Sequence, residues 1–264
     1  MKIMKNLNIV AFIPARMGST RYPGKPLEKI LGMPMVGHVY KRAKMSGILN
    51  EVYIVTPDQT IVDYAKSIGA KWVIGRDNHP GCSDITAEAL LKIEKETREK
   101  VDIVVMLQGD EPMIVPEMID LALEPMLKDD SIEVLNLMAP IRSIEEHNDP
   151  NCPKVVVDQN NFAIYFSREP IPSRKKWKGG DTPMFKQVCV IPFKRDFLEK
   201  FNAWGRKTLE GVESIDMLRV IEHGHKVKMV YGEFETYSVD TPEDLKKVEK
   251  KMSSDLLAKT YAGN

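Results

Sequence analysis

The residues best suited to chemistry lie in the segment 14–27, PARMGSTRYPGKPL. Pro14 and Ala15 open it, and Arg16, Arg21 and Lys25 are spaced around Gly18, Ser19, Thr20 and Gly24. Small residues let backbone N–H groups approach phosphate oxygens, arginine adds bidentate forks, and lysine adds a point charge. Residues 1–30 hold six basic side chains and one acid, Glu28. The spacing is neither that of a Walker A loop nor that of a G-x-G-x-x-G fingerprint. A basic glycine loop taken at random is usually a solvated turn. Three cations and two glycines within ten residues, directly after an apolar run, point instead to a triphosphate.

Two acids are placed to complement that loop. Asp110 follows the apolar run DIVVMLQG, and Asp240 ends YSVD just before TPEDL. Carboxylates at two strand ends would flank one Mg²⁺ while phosphate oxygens complete its octahedron, because magnesium favours one or two carboxylates plus substrate phosphates. The ion would offset charge on a reacting α-phosphate and a departing diphosphate. Taken alone, each acid is more often a helix cap or turn residue than a ligand. Their pairing requires a fold that brings positions 110 and 240 together, and spacing does not show that.

The elements that would position these residues are legible as alternating patterns. NIVAFI (8–13), EVYIVT (51–56), KWVIG (71–75) and DIVVMLQG (102–109) read as strands. MVGHVYKRAKMS (35–46), TIVDYAKSIG (60–69) and DITAEALLKIEKETREK (84–100) read as helices between them. That order predicts an α/β fold, a mostly parallel sheet with helices on both faces, with ligands beyond the carboxyl ends of the strands. From residue 134 the rhythm loosens. VLNLMAPI (134–141), KVVVDQ (154–159), FAIYFS (162–167), QVCVIPF (187–193) and KVKMVY (226–231) are strand candidates, with a hairpin turning at Asp158–Asn161. RDFLEKFNAW (195–204), ESIDMLRVIEHG (213–224) and TPEDLKKVEKKM (241–252) read as helices, the last with Thr241 as N-cap and Pro242 at its first position. The segment 168–183 reads as a long mobile loop, in which RKKWK (174–178) suits a lid over an anionic substrate, or plain solvated surface, better than a nucleic-acid patch. The last dozen residues are expected to fray.

Composition excludes several classes. Lys plus Arg and Asp plus Glu each total 38, so a general nucleic-acid or membrane-surface binder is not expected. The scattered Cys82, Cys152 and Cys189 form no C-x-x-C pair and read as reduced thiols of a cytoplasmic protein. Cys82 has no histidine placed beside it by a motif, so thiol catalysis is not expected. His38 reads as a helix residue, His147 as a loop residue, and His223 and His225 as flanking a helix end at Gly224; none reads as a zinc ligand. The apolar run near the start is short and broken at Pro14, which reads as a strand rather than a signal peptide. No run approaches a membrane span.

IPARMGSTRYPGKPL, VMLQGDEPMI, AIYFSREPIP and YSVDTPEDL, in that order, resemble the signature segments of the 3-deoxy-manno-octulosonate (Kdo) cytidylyltransferases. The likeness runs over roughly residues 8–250. It implies a Rossmann-like, nucleotide-diphospho-sugar transferase-like fold: a single domain over 1–252, with an inserted dimerisation and sugar-lid region at roughly 150–200. It also implies a homodimer, and transfer from CTP to an acidic sugar with release of diphosphate. Carried over by position, Arg16 and Lys25 match triphosphate-binding residues, Asp110 and Asp240 match Mg²⁺ ligands, and Gln108 matches a residue facing the reacting groups. Arg76, Asn78 and His79 fall in a nucleotide-side segment, with Ser83 just beyond. Arg21, Gln108, Arg168, Gln187 and Asp216 fall on the acceptor side.

The departures fall on that acceptor side. Ile85 stands where the family has a sugar-contacting arginine, Gln187 and Ile191 where it has a histidine and a tyrosine, and Asp216 and Met217 where it has a glutamate–glutamine pair. Sites built around buried polar groups discriminate strongly. Two expectations stay open: an acidic acceptor other than Kdo, or Kdo itself, satisfied anew by Gln187, Asp216 and Arg174. A UTP- or phosphonate-using transferase and a non-catalytic nucleotide sensor are the rival functions.

Overall fold

The computed structural model describes residues 7–262 except Thr20, Asn78, Pro80 and residues 177–181. The expected contributions of Thr20 and Asn78, and Trp177 and Lys178 of the basic segment, lie outside the described residues. The chain divides into two compact units, residues 1–120 with 236–264, and residues 121–235. The expected insertion at roughly 150–200 falls inside the second.

The first unit begins with β1 (Ile9–Pro14), a 3-10 turn (Lys25–Leu27), β2 (Lys29–Ile30) and β3 (Met33–Pro34). Then come α1 (Met35–Ala43), β4 (Glu51–Thr56), α2 (Gln59–Ser67), β5 (Lys71–Ile74), α3 (Cys82–Thr97) and β6 (Ile103–Leu107). β6, β1, β4 and β5 lie side by side, all parallel. Every residue of β1 and of β6 is buried, as expected of central strands covered on both faces. α4 (Pro116–Lys128) leads into the second unit and was not foreseen in the sequence.

The second unit holds β7 (Leu135–Pro140), α5 (Ile144–Asn148), β8 (Lys154–Val157), β9 (Ala163–Ser167), β10 (Phe185–Val188) and β11 (Val190–Lys194). It continues with α6 (Arg195–Trp204), α7 (Thr208–Glu213), α8 (Met217–Glu222) and β12 (Lys228–Tyr231). Its sheet is mixed, in the order β12-β7-β10-β8-β9, with β12 parallel to β7 and the other pairs antiparallel. β8 and β9 form the expected hairpin. Asp158 Oδ1 accepts the amides of Asn160 and Phe162, and Asn161 takes a left-handed conformation (φ 58°). The single strand expected over 187–193 is instead β10 and β11, separated at Cys189. The helix expected over 213–224 is shorter, α8, and α7 before it was not foreseen. Arg219 on α8, fully buried, donates to Glu210 on α7 at 2.6 and 2.7 Å. That buried pair holds the two short helices together.

α9 (Pro242–Met252) and α10 (Leu256–Lys259) complete the first unit. α9 carries a full capping box, with the Thr241 hydroxyl accepting from the Asp244 amide and the Asp244 carboxylate accepting from the Thr241 amide. The frayed tail expected beyond residue 252 is corrected. Asp255 caps α10 and pairs with the fully buried Arg42 of α1. Arg42 Nε donates to the Tyr261 hydroxyl at 2.6 Å, and that hydroxyl also meets His38 Nδ1 at 3.0 Å. A buried arginine needs such partners, so the tail is fixed by α1's demand for acceptors. His38 and His147 are likewise fully buried. His147 sits in α5 rather than in a loop.

Candidate functional site: a lysine between two aspartates

The carboxyl ends of β1 and β6 are brought into close approach by Gly109. A Cβ added there would lie 2.8 Å from the Pro14 carbonyl oxygen and 3.4 Å from the Ala15 Cβ. With no side chain in the way, Asp110 hangs beside the loop that follows β1. That loop is folded on itself by Ser19 N–H and Gly24 N–H, both donating to the Met17 carbonyl. It is tied down by Met17 N–H donating to Asp58 Oδ2 at 2.8 Å. Gly24 adopts φ +80°, a conformation open to glycine at little cost, and opens the 3-10 turn that aims Lys25.

The third part of the site is the segment 239–240. Val239 N–H donates to the Asp110 carbonyl at 2.9 Å, which sets Asp240 beside Asp110 although 130 residues separate them in sequence. Asp240 is not the cap of α9, a role taken by Thr241. The Lys25 ammonium lies between the two carboxylates, 2.6 Å from Asp110 Oδ2 and 3.1 Å from Asp240 Oδ1, and donates to the Val239 carbonyl at 2.9 Å. Burial disfavours its charge, but Asp110 and Asp240 more than compensate and raise its pKa. Arg21, half exposed, reaches Asp240 Oδ1 at 2.9 Å. Arg16 is exposed and has no ion-pair partner among the described residues.

Asp110 Oδ1 is buried without a hydrogen-bond partner. An unpaired carboxylate oxygen there, with Asp240 adjacent, is the hard oxygen donor set a Mg²⁺ ion takes when phosphate oxygens complete its shell. Among the described residues no group of three or more His, Cys, Asp or Glu side chains is arranged to hold a metal ion.

The other expected residues divide between the units. Gln108 is half-buried at the end of β6. Ser83 is fully buried in the first turn of α3. Arg76 and His79 are fastened to Glu88 of α3, Arg76 Nε at 3.4 Å. Burial raises the Glu88 pKa, but Lys92, His79 and the Arg76 amide outweigh it and hold that carboxyl at about 2. Ile85 points away from solvent: it is buried, and an added Cβ at Gly75 would meet its side chain at 2.7 Å. In the second unit, Arg168 spends its guanidinium on the Glu213, Pro150 and Ser214 carbonyls at 2.6, 2.7 and 3.1 Å. It clamps two loops there. Gln187 Nε2 donates to Asn136 Oδ1 at 2.6 Å. Asp216 stands at the N-terminal end of α8.

Sequence reasoning missed Asp58, Asn136 and the Val239 carbonyl. Asp58 precedes a helix pattern and so signals a cap; its part in holding Met17 had no signal. Asn136 was visible as a polar residue inside VLNLMAPI. A backbone carbonyl carries no signal at all.

A cation-rich loop after the first strand and a dicarboxylate beside it, both at the carboxyl ends of parallel strands, define a nucleotide-handling α/β protein. The comparisons specify it further. The family model described as cytidylyltransferase matches residues 10–229. A 3-deoxy-manno-octulosonate cytidylyltransferase of Geobacter metallireducens is 39% identical, over 94% of this chain and 98% of that one. One of Thermodesulfovibrio yellowstonii is 38% identical, over 91% and 96%. A solved CMP:2-keto-3-deoxy-manno-octonic acid synthetase complexed with CTP matches with a TM-score of 0.85 and 34% identity, over 94% of this chain and 100% of that chain. The chain belongs to the cytidylyltransferase family.

Proposed function

We propose that this protein transfers the cytidylyl group of CTP to 3-deoxy-manno-octulosonate, releasing diphosphate. The observation that carries the reading is the convergence of Lys25, Asp110 and Asp240 beside the glycine loop, in a chain whose relatives carry that name. The acceptor hydroxyl attacks the α-phosphorus in line with the departing diphosphate, and catalysis is mainly positioning and charge neutralisation. Arg16 and the loop amides around Gly18 and Ser19 bind the β- and γ-phosphates, joined by Lys25. Asp110 and Asp240 would hold Mg²⁺, which would supply charge stabilisation at the reacting phosphate. Gln108, at the end of β6, orients the reacting groups. No side-chain nucleophile is needed. Burial pushes the Cys152 thiol up to about 12, far from a reactive thiolate. We further infer a cytoplasmic homodimer. Among the described residues no helix is long and apolar enough to cross a membrane.

The second reading, a different acidic acceptor, is favoured by Ile85, which buries its side chain against Gly75 where the family pattern has an arginine. Diphosphate release from CTP and Mg²⁺ with a panel of keto-sugar acids separates the two. Turnover of Kdo at least equal to every other acid supports the first reading. Turnover confined to another acid transfers the function to the second. CTP binding with no release from any acid leaves a sensor and removes both.

A further inference from the structure

Lys25 stands where a divalent ion between the two aspartates would have to sit. An ammonium has three donors, and the structure gives all three an acceptor: Asp110 Oδ2 at 2.6 Å, the Val239 carbonyl at 2.9 Å and Asp240 Oδ1 at 3.1 Å. None is left for a phosphate. Arg21 brings a second cation to Asp240 Oδ1. Two carboxylates facing two cations form a locally neutral cluster, so a free divalent ion finds little net attraction there. Its entry requires the ammonium to withdraw, breaking two charge-assisted hydrogen bonds.

A triphosphate alters that balance. It offers the ammonium new anionic acceptors, on the same loop that carries exposed Arg16. It also brings the oxygens that a magnesium ion held by two carboxylates still lacks. The unpartnered Asp110 Oδ1 marks the acceptor that Lys25 does not satisfy.

We propose that Lys25 is a resident cation that excludes divalent metal from the Asp110–Asp240 pair until nucleotide phosphates draw its ammonium away, so that metal and nucleotide bind interdependently. This rests on the reading that the two aspartates are the metal ligands. By linkage the coupling is reciprocal: metal must strengthen nucleotide binding by the factor by which nucleotide strengthens metal binding.

The test is Mn²⁺ titration of the full chain followed by electron paramagnetic resonance, without nucleotide. Lys25→Met should bind one Mn²⁺ at least about tenfold more tightly than the parent protein, equivalent to about 1.4 kcal/mol. Adding Asp110→Asn should abolish the gain. Should Lys25→Met fold poorly, Lys25→Gln keeps a hydrogen-bonding group without the charge, and its melting temperature should rise with Mg²⁺ more than the parent's does. Tight Mn²⁺ binding by the nucleotide-free parent, lost in Asp110→Asn, overturns the exclusion while keeping the aspartates as ligands. Equal affinity in the parent and both Lys25 variants also overturns it. A spectrum of enzyme-bound Mn²⁺·CTP unchanged by Asp110→Asn overturns the ligand reading beneath it.

Discussion

Gly109→Ala tests whether the close approach of the two strand ends is what sets the site. The new methyl carbon would lie 2.8 Å from the Pro14 carbonyl oxygen, 3.4 Å from the Ala15 Cβ and 3.6 Å from the Ile13 Cγ2. The nearest of these is backbone and cannot rotate aside. Ordinary contact requires the two segments to part by about 0.5 Å. Overpacking of that kind costs about 1–3 kcal/mol, and a chain of this length loses about 2–4 °C of melting temperature per kcal/mol. The displacement falls on Asp110, the next residue, and on its 2.6 Å contact with Lys25. Since a misplacement of about 1 Å can cost about a hundredfold in rate, half of that predicts a loss of about tenfold in kcat/KM for CTP. The assay pairs thermal melting with diphosphate release, using Gly47→Ala as control, because a Cβ at Gly47 meets nothing within 4 Å. A Gly109→Ala protein with the parent's melting temperature and kcat/KM would refute the argument.

Other predictions follow from the packing and the charges. Tyr261→Phe removes the hydroxyl shared by Arg42 and His38 and should cost about 1–3 kcal/mol in denaturant melts, because Arg42 is left short of an acceptor while fully buried. Gly211→Ala, inside α7 with open space around it, should stabilise by about 0.5–1 kcal/mol in the same assay. Glu88 ionises more readily folded than unfolded, with a native pKa of about 2 against 4.5. Its contribution is therefore fully present above about pH 4.5 and lost as pH falls toward 2, where the unfolded chain binds the proton first. Glu88→Gln should flatten the fall in stability across that window, as read by urea midpoints.

The first half of the fold was legible because its strands are buried on both faces and so appear as unbroken apolar runs, separated by helices of clear period. The basic, glycine-containing loop after β1 was legible from composition. The meeting of Asp110 and Asp240 was not, because it depends on one backbone hydrogen bond from Val239 across a long sequence separation; only the family resemblance paired them. The place of Lys25 between the two aspartates was not legible either, since contacts between distant loops leave no local pattern. α4 escaped notice because Pro125 interrupts its pattern. The tail read as frayed because its anchor is Arg42, a residue that looks like surface charge on a helix until its burial is known.

The central claim is that Asp110 and Asp240 act together at the reacting phosphate. CMP-Kdo formation by Asp110→Asn and Asp240→Asn, each verified as folded by its melting curve, tests it most directly. The account predicts that each variant loses at least about a hundredfold in kcat, that the double variant is little worse than either single one because the pair acts as a unit, and that added Mg²⁺ restores neither. Activity within tenfold of the parent in either single variant would contradict it.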